Sequence, residues 1–382
     1  MNSVLNLRLL ADLVALCLIL PAQWAIGRWV AARYGRWGRW FCAAAAAWLL
    51  VGFGLSFHRL YLVLEAPAWL RGLACGSTFL WLFASTGAWL VHRLWRAVTP
   101  QVDTGRRRWL TWAGRAAVAA PVALTGFGAF IQRTNFREVE VDLPVPNLPA
   151  DLEGLRLVQL SDIHLSPFLS ERDFARAVDA ANSARAHIAL VTGDLISVAG
   201  DPLDECLNQV ARLRADAGIW ACLGNHEAYA RAERYTTERG ARLGVRFLRG
   251  EAATLRFGSA RLRLAGVDYQ SVWDKPSYLA GMERLVEPGA VNVLLSHNPD
   301  VFPVAAKKGF DVTLGGHTHG GQVTVEILHQ TLNLARFVTP YVYGLYRAGP
   351  ASLYVTRGIG TIGVPLRIGA QPEVAVLRLK RA

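Results

Sequence analysis

Acidic residues are scarce in the first third of this chain: residues 1–139 hold four Asp and Glu against 15 Arg and Lys. The rest carries 26 basic and 25 acidic side chains, so nearly all of the net charge of +12 sits at the front. Long nucleic acid rewards dense positive charge on the domain that binds it. The near-neutral later part lacks that charge, and no nucleic-acid partner is expected. Cysteine is equally thin. There are five, no C-x-x-C pair occurs, and Cys17, Cys42 and Cys75 fall in apolar runs, so spacing gives neither a disulfide framework nor a cysteine-zinc site. Cys206 and Cys222 read as small buried thiols. Charged residues make up only 18% of the chain, and 52% is apolar.

The apolar residues are concentrated. Stretches at 5–26, 37–57 and 68–91 are each close to the ~20 residues that a membrane-crossing helix needs. A fourth, 109–131, carries Arg115 inside it. Residues 1–135 therefore read as a transmembrane region of about four helices, and 136–382 as a separate catalytic domain. Arg28, Arg33, Arg36 and Arg39 follow the first stretch with no acid among them. Arg93, Arg96, Arg106, Arg107 and Arg108 precede the fourth against Asp103 alone. By the positive-inside rule both connections face the cytoplasm, which puts the catalytic region outside a bacterial inner membrane crossed several times if the fourth stretch crosses, and in the cytoplasm if it does not. Arg106 to Thr111 also resembles a twin-arginine export signal, or else is the ordinary basic flank of a membrane helix. Residues 133–150, with three prolines, read as an extended connector.

Beyond 155 one arrangement repeats: a short apolar run, a coordinating residue, then a helical or turn-rich stretch. The run 155–160 leads to Asp162 and His164, 188–192 to Asp194, and 219–223 to Asn225, His226 and Glu227. The run 291–295 leads to His297, and 310–314 to His317 and His319. Runs of this length rich in Val and Ile, separated by helical patterns at 171–185, 202–214 and 229–243, indicate buried strands of an α/β fold. In such folds ligands gather at the carboxyl ends of strands. Residues two apart in extended chain share a face, so Asp162 with His164, and His317 with His319, can each grip one ion. Mixed His, Asp and Asn donors suit Mn, Fe or Zn better than Mg or Ca. Ser161 and Ser296 lie beside these residues without the partners that a serine nucleophile needs.

Asp162-x-His164, Gly193-Asp194, Gly224-Asn225-His226-Glu227, Ser296-His297 and Gly316-His317-Thr318-His319 occur in the order of the calcineurin-like metallophosphoesterases, which residues 137–381 resemble. The run through Gly320-Gly321-Gln322, with Thr356-Arg357-Gly358-Ile359-Gly360 and Leu366-Arg367, resembles a membrane-attached bacterial branch that includes UDP-2,3-diacylglucosamine hydrolases of lipid A synthesis. The resemblance implies a four-layer αββα sandwich with two divalent metal ions. Asp162, His164 and His319 would hold one ion and Asn225, His297 and His317 the other, with Asp194 bridging. His226 would be the catalytic general acid or charge stabiliser, and Glu227 structural. The family often has an acid three positions after the bridging Asp to orient the catalytic His; here that position is Ser197. Arg357 and Arg367 are either phosphate contacts or ion-paired residues.

The expected activity is therefore hydrolysis of phosphodiester or pyrophosphate bonds in a phosphorylated, lipid-linked or envelope substrate, with the bilayer as the other partner. The competing readings are a broad phosphodiesterase or nucleotidase, and a non-catalytic membrane sensor.

Overall fold

The computed structural model describes residues 2–55, 67–98, 104–327 and 330–382. Two compact units divide them, one of residues 1–131 with 363–366 and the other of 132–362 with 367–382.

The first unit is helical: α1 (Asn2–Leu55), α2 (Ala68–Val98) and α3 (Thr104–Phe130). Three segments, Cys17–Leu55, Trp69–Val98 and Trp109–Thr134, are long and apolar enough to cross a membrane. The first is 39 residues long, about twice one crossing, and it does not run straight. Gly35 takes φ 55° and ψ −130°, a conformation that side chains resist. There the helix folds back. Cys42 Sγ lies 3.7 Å from the Gly27 carbonyl, although a straight helix would separate these residues by ~22 Å. The stretch expected at 5–26 and the described part, 37–55, of the one expected at 37–57 are thus the two arms of one bent element. Both arms pack on α2: Gln23 bonds Ser85 and Trp81, and Gly52 lies against Ala74 and Thr78 so closely that a methyl group would collide. Trp24, Trp29, Trp37, Trp40 and Phe41 are all more than 60% exposed, an apolar surface that suits lipid and not water. Arg28 and Arg36 stack over Trp24 and Trp37 near the bend. The connection holding His58, Arg59 and Glu65, and residues 99–103, lie outside the described residues, as do the side chains of Arg106, Arg107 and Arg108.

The second unit is built on two six-stranded mixed sheets. Strands β1 (Arg137–Val145), β2 (Arg156–Leu160), β3 (Ile188–Thr192), β4 (Ile219–Cys222) and β5 (Val245–Phe247) belong to the first. The second has β6 (Glu251–Phe257), β7 (Ala260–Gly266), β8 (Val291–Leu295), β9 (Val312–Gly315), β12 (Gly344–Ala348) and β13 (Ala351–Val355). A hairpin of β10 (Thr324–Ile327) and β11 (Gln330–Asn333) stands apart. The last strand, β14 (Glu373–Arg381), returns to the first sheet between β1 and β2.

Strands β2 to β5 are parallel neighbours, as are β7, β8, β9 and β13. Parallel strands covered on both faces need continuous apolar sequence, which is why the five runs are legible. Leu157, Leu190, Leu264, Val293 and Leu314 meet in the core between the sheets. The outer face of the first sheet packs on α4 (Glu171–Ser183) and α5 (Leu203–Val210) through Phe174, Val178 and Leu207. The chain also forms α6 (Asn225–Tyr229), α7 (Glu233–Arg242) and α8 (Phe302–Lys308). Helix α8 covers the outer face of the second sheet through Ala305, against Leu294 and Phe310. The result is the αββα sandwich.

One expectation changes. Residues 133–150 are not a mere connector, because Arg137–Val145 pairs along its whole length with β14. Val139, Val141, Leu143 and Val145 alternate with acids and Pro144, a strand pattern. Proline survives there because β1 is an edge strand.

A candidate metal centre at the strand ends

The carboxyl ends of β2, β3, β4, β8 and β9 bring seven acidic and imidazole side chains together in three overlapping groups. These are Asp162, His164 and His319; His164, Asp194 and His226; and Asp194, His297 and His317. Asp194 Oδ2 lies between them, 3.0 Å from His297 Nε2, 3.5 Å from His164 Nε2 and 4.0 Å from His226 Nε2. On the Asp162 side, His319 Nε2 is 3.4 Å from Oδ1 and 3.1 Å from His164 Nε2. His317 Nδ1 faces His297 Nε2 at 3.3 Å.

The backbone is bent to achieve this. Asp162, His164, Asp194, His317 and His319 all have positive φ, between 48° and 73°. Each such non-glycine conformation costs on the order of 1–3 kcal/mol, and such strain clusters at functional sites. Glycine makes the close approach possible: a methyl group on Gly224 would sit 2.1 Å from Asp194 Oδ1, and one on Gly316 2.3 Å from Asp162 Oδ2. Buried Glu227 ties two of the loops, accepting hydrogen bonds from the backbone N–H groups of Asp194, Leu195 and Gly224. With every one of these bonds to main chain, it clamps the β3 and β4 loops in register.

Asn225 supplies the test of fit for a cation. It is 4% exposed, and its Oδ1 has no hydrogen-bond partner among the described residues. A buried amide oxygen left without a donor costs about 1–3 kcal/mol, which a cation at that oxygen would recover. Oxygen and neutral imidazole donors together suit a transition-type divalent ion. Burial, with His226 nearby, pushes His164 down to about 3, and burial with His297 does the same to His317. Both rings therefore present lone pairs at neutral pH. Burial also opposes a proton on His297, but Asp194 and Asp162 outweigh it and carry this ring up to about 10. Burial and the Asp194 charge raise Asp162 to about 6, against the pull of His297.

The ring of His226 is set by main chain. Its Nδ1 lies 2.5 Å from the carbonyl oxygen of Ser197. A carbonyl can only accept, so Nδ1 carries the hydrogen and Nε2 turns toward Asp194. The Ser197 side chain serves another ring, with Oγ 3.1 Å from His164 Nδ1. Asp201 Oδ2 in turn accepts from the N–H groups of Ser197 and Val198 and fixes the turn that offers this carbonyl. His297 is held in the same way, Nδ1 2.7 Å from the Thr192 carbonyl.

Arg367 is not a phosphate contact. It is fully buried, and its guanidinium donates to the carbonyls of His319, Gly358, Gly360 and Ala370, holding the loops behind His319. Arg357 is ion-paired with Glu373 at 2.8 Å and stacked over Tyr343. The hydroxyls of Ser161 and Ser296 donate to the carbonyls of Thr192 and Asn298. Tyr229 and Tyr269 escaped the sequence reading. The Tyr229 ring lies 5.4 Å from His226, and Tyr269 lies 5.6 Å from His317 and 6.1 Å from His297. Tyr269 follows the end of β7, so its position at a strand end was the available signal.

Imidazole and carboxylate donors gathered at the strand ends of this four-layer sandwich are a set that can hold divalent metal ions. Residues 155–321 match the calcineurin-like phosphoesterase family. Three relatives show how the similarity extends. A "transmembrane protein with metallophosphoesterase domain" of Danio rerio is 30% identical, over 64% of this chain and 57% of that protein. The metallophosphoesterase YkuE of Bacillus subtilis is 26% identical over 70% of this chain and 94% of its own length. Phosphodiesterase YaeI of Escherichia coli is 27% identical over 59% and 82%. The chain thus spans little more than half of the fish relative.

Proposed function

We propose that the chain is a membrane-anchored phosphohydrolase that uses two divalent cations to cleave phosphodiester or pyrophosphate bonds in a lipid-linked or envelope substrate. One observation carries the reading: three donor groups are chained together, the first to the second through His164 and the second to the third through Asp194, while Asn225, next to His226 in sequence, keeps a buried oxygen unpaired among the described residues. Asp162, His164 and His319 would hold one cation and Asn225, His297 and His317 the other, with Asp194 available to both. Bound cations at such a site supply Lewis acidity and lower the pKa of water.

The chain's own groups do the rest. The Ser197 and Thr192 carbonyls lock the rings of His226 and His297 so that each Nε2 faces the centre. A protonated His226 keeps its Nδ1 bond to Ser197 and offers Nε2–H to the departing oxygen, as a general acid must.

The helical unit supports a substrate held at a bilayer, and the phosphodiesterase name of the Escherichia coli relative supports a diester. Arg-rich connections on one side of four apolar segments support a catalytic domain outside the cytoplasm. A substrate panel tests both claims. The full chain, loaded with manganese in sealed right-side-out vesicles, is given phospholipid diesters, nucleotides and a membrane-impermeant model diester. Hydrolysis of the lipid diesters and of the impermeant one is expected. Turnover of nucleotides alone removes the lipid-linked substrate. Hydrolysis of the impermeant diester only after permeabilisation overturns the outside placement.

A further inference from the structure

In the helical unit, α2 and α3 line an open cleft of about 520 Å³. Its walls are Ala88, Val118, Ala119 and Val122, and Arg96 and Arg115 also line it. Two close approaches fix how the helices run. A methyl group on Gly87 would sit 3.0 Å from Pro121, and one on Gly114 would sit 2.5 Å from Trp95 Nε1. Low numbers on α2 thus face high numbers on α3, and the helices are antiparallel. Ala88 and Val122 then lie at one end of the cleft, and Arg96 and Arg115 toward the other. The cleft is apolar along its length and basic at one end.

Among the described residues, neither helix offers an acid to that end. Neither Ala68–Val98 nor Thr104–Phe130 contains an Asp or Glu; Asp103, the nearest in sequence, lies outside the described residues. The Arg115 guanidinium stacks on Trp112 at 5.6 Å, which steadies it without cancelling its charge. Arginine within an apolar helix is costly in lipid unless it reaches the interface or is paired, and basic pockets between membrane helices bind anionic head groups.

We propose that this cleft binds one anionic phospholipid. Arg96 and Arg115 hold its phosphate, and an acyl chain lies along Ala88, Val118, Ala119 and Val122. The inference concerns the helical unit alone and stands whether or not the substrate reading above is right.

Native mass spectrometry of the full chain in neutral detergent tests it, with phosphatidylglycerol and phosphatidylcholine of identical chains as probes. One phosphatidylglycerol per chain is expected to be retained in preference to phosphatidylcholine. Each arginine contributes about fivefold, so Arg96→Gln with Arg115→Gln should weaken retention by roughly 25-fold. The pair Arg96→Lys and Arg115→Lys should keep most of it. Filling the tail end with Val118→Phe should also reduce retention, with no change in charge. Equal retention of the two lipids by the wild-type chain overturns the proposal, and that comparison needs no variant to fold. Unchanged retention in the glutamine pair overturns it as well. Displacement of the lipid by millimolar inorganic phosphate alone would reveal a free-anion site and exclude the acyl chain from recognition.

Discussion

On the proposed two-cation reading, changing Asp194 to asparagine should cost the chain most of its metal and roughly 10²–10³-fold in kcat, the scale of removing one charge-stabilising group. The geometry dictates this. Oδ1 accepts the backbone N–H of His226 at 2.9 Å, while Oδ2 faces three imidazoles. Asparagine can keep the first contact through its carbonyl oxygen, so the loop should stay folded. Its amide nitrogen would then point a donor at the centre, where rings and cations both need an acceptor. Metal analysis and steady-state kinetics on the same preparation check this. A variant with full metal content and undiminished hydrolysis would remove Asp194 from the centre and leave the non-catalytic sensor as the better reading.

His226→Gln should behave differently. It should retain its metal and lose roughly 10²–10⁴-fold in kcat, the usual contribution of a positioned acid. The loss should depend on the leaving group: large for an alkyl diester, whose departing oxygen needs a proton, and small for a p-nitrophenyl ester, whose phenolate leaves unaided. The prediction follows from the ring's fixed orientation, with Nδ1 committed to Ser197 and the side chain 15% exposed, so that substrate can reach Nε2. Equal losses on both substrates would deny it the role of acid. Loss of metal would make it a ligand, a reading that its place beside His164 and Asp194 keeps testable.

Much of the domain was legible because parallel strands buried on both faces must be written in apolar residues. The runs 188–192 and 291–295 coincide with β3 and β8 residue for residue. The donors after each strand were legible for the same reason, since a strand end is where a side chain leaves the core. What the sequence hid was the work of main chain. The missing acid at Ser197 drew attention to side chains, whereas the partner of His226 is a carbonyl, which every residue has. Arg367 carried a phosphate-binding signal by type, but its partners are carbonyls gathered by loops with left-handed turns at His319 and Gly358. The prolines at 144, 146 and 149 outweighed the period-two alternation of β1, whose partner β14 lies more than 220 residues further on. The fold-back at Gly35 was visible as two apolar stretches, though not as one bent helix.

The central claim is that two cations share Asp194. Electron paramagnetic resonance of the full chain titrated with manganese tests it most directly. The account predicts two manganese ions per chain at saturation and the multiline spectrum of an exchange-coupled pair, about 3.5–4 Å apart as in other two-metal sites. A six-line spectrum of isolated ions, saturating at one per chain, would contradict it.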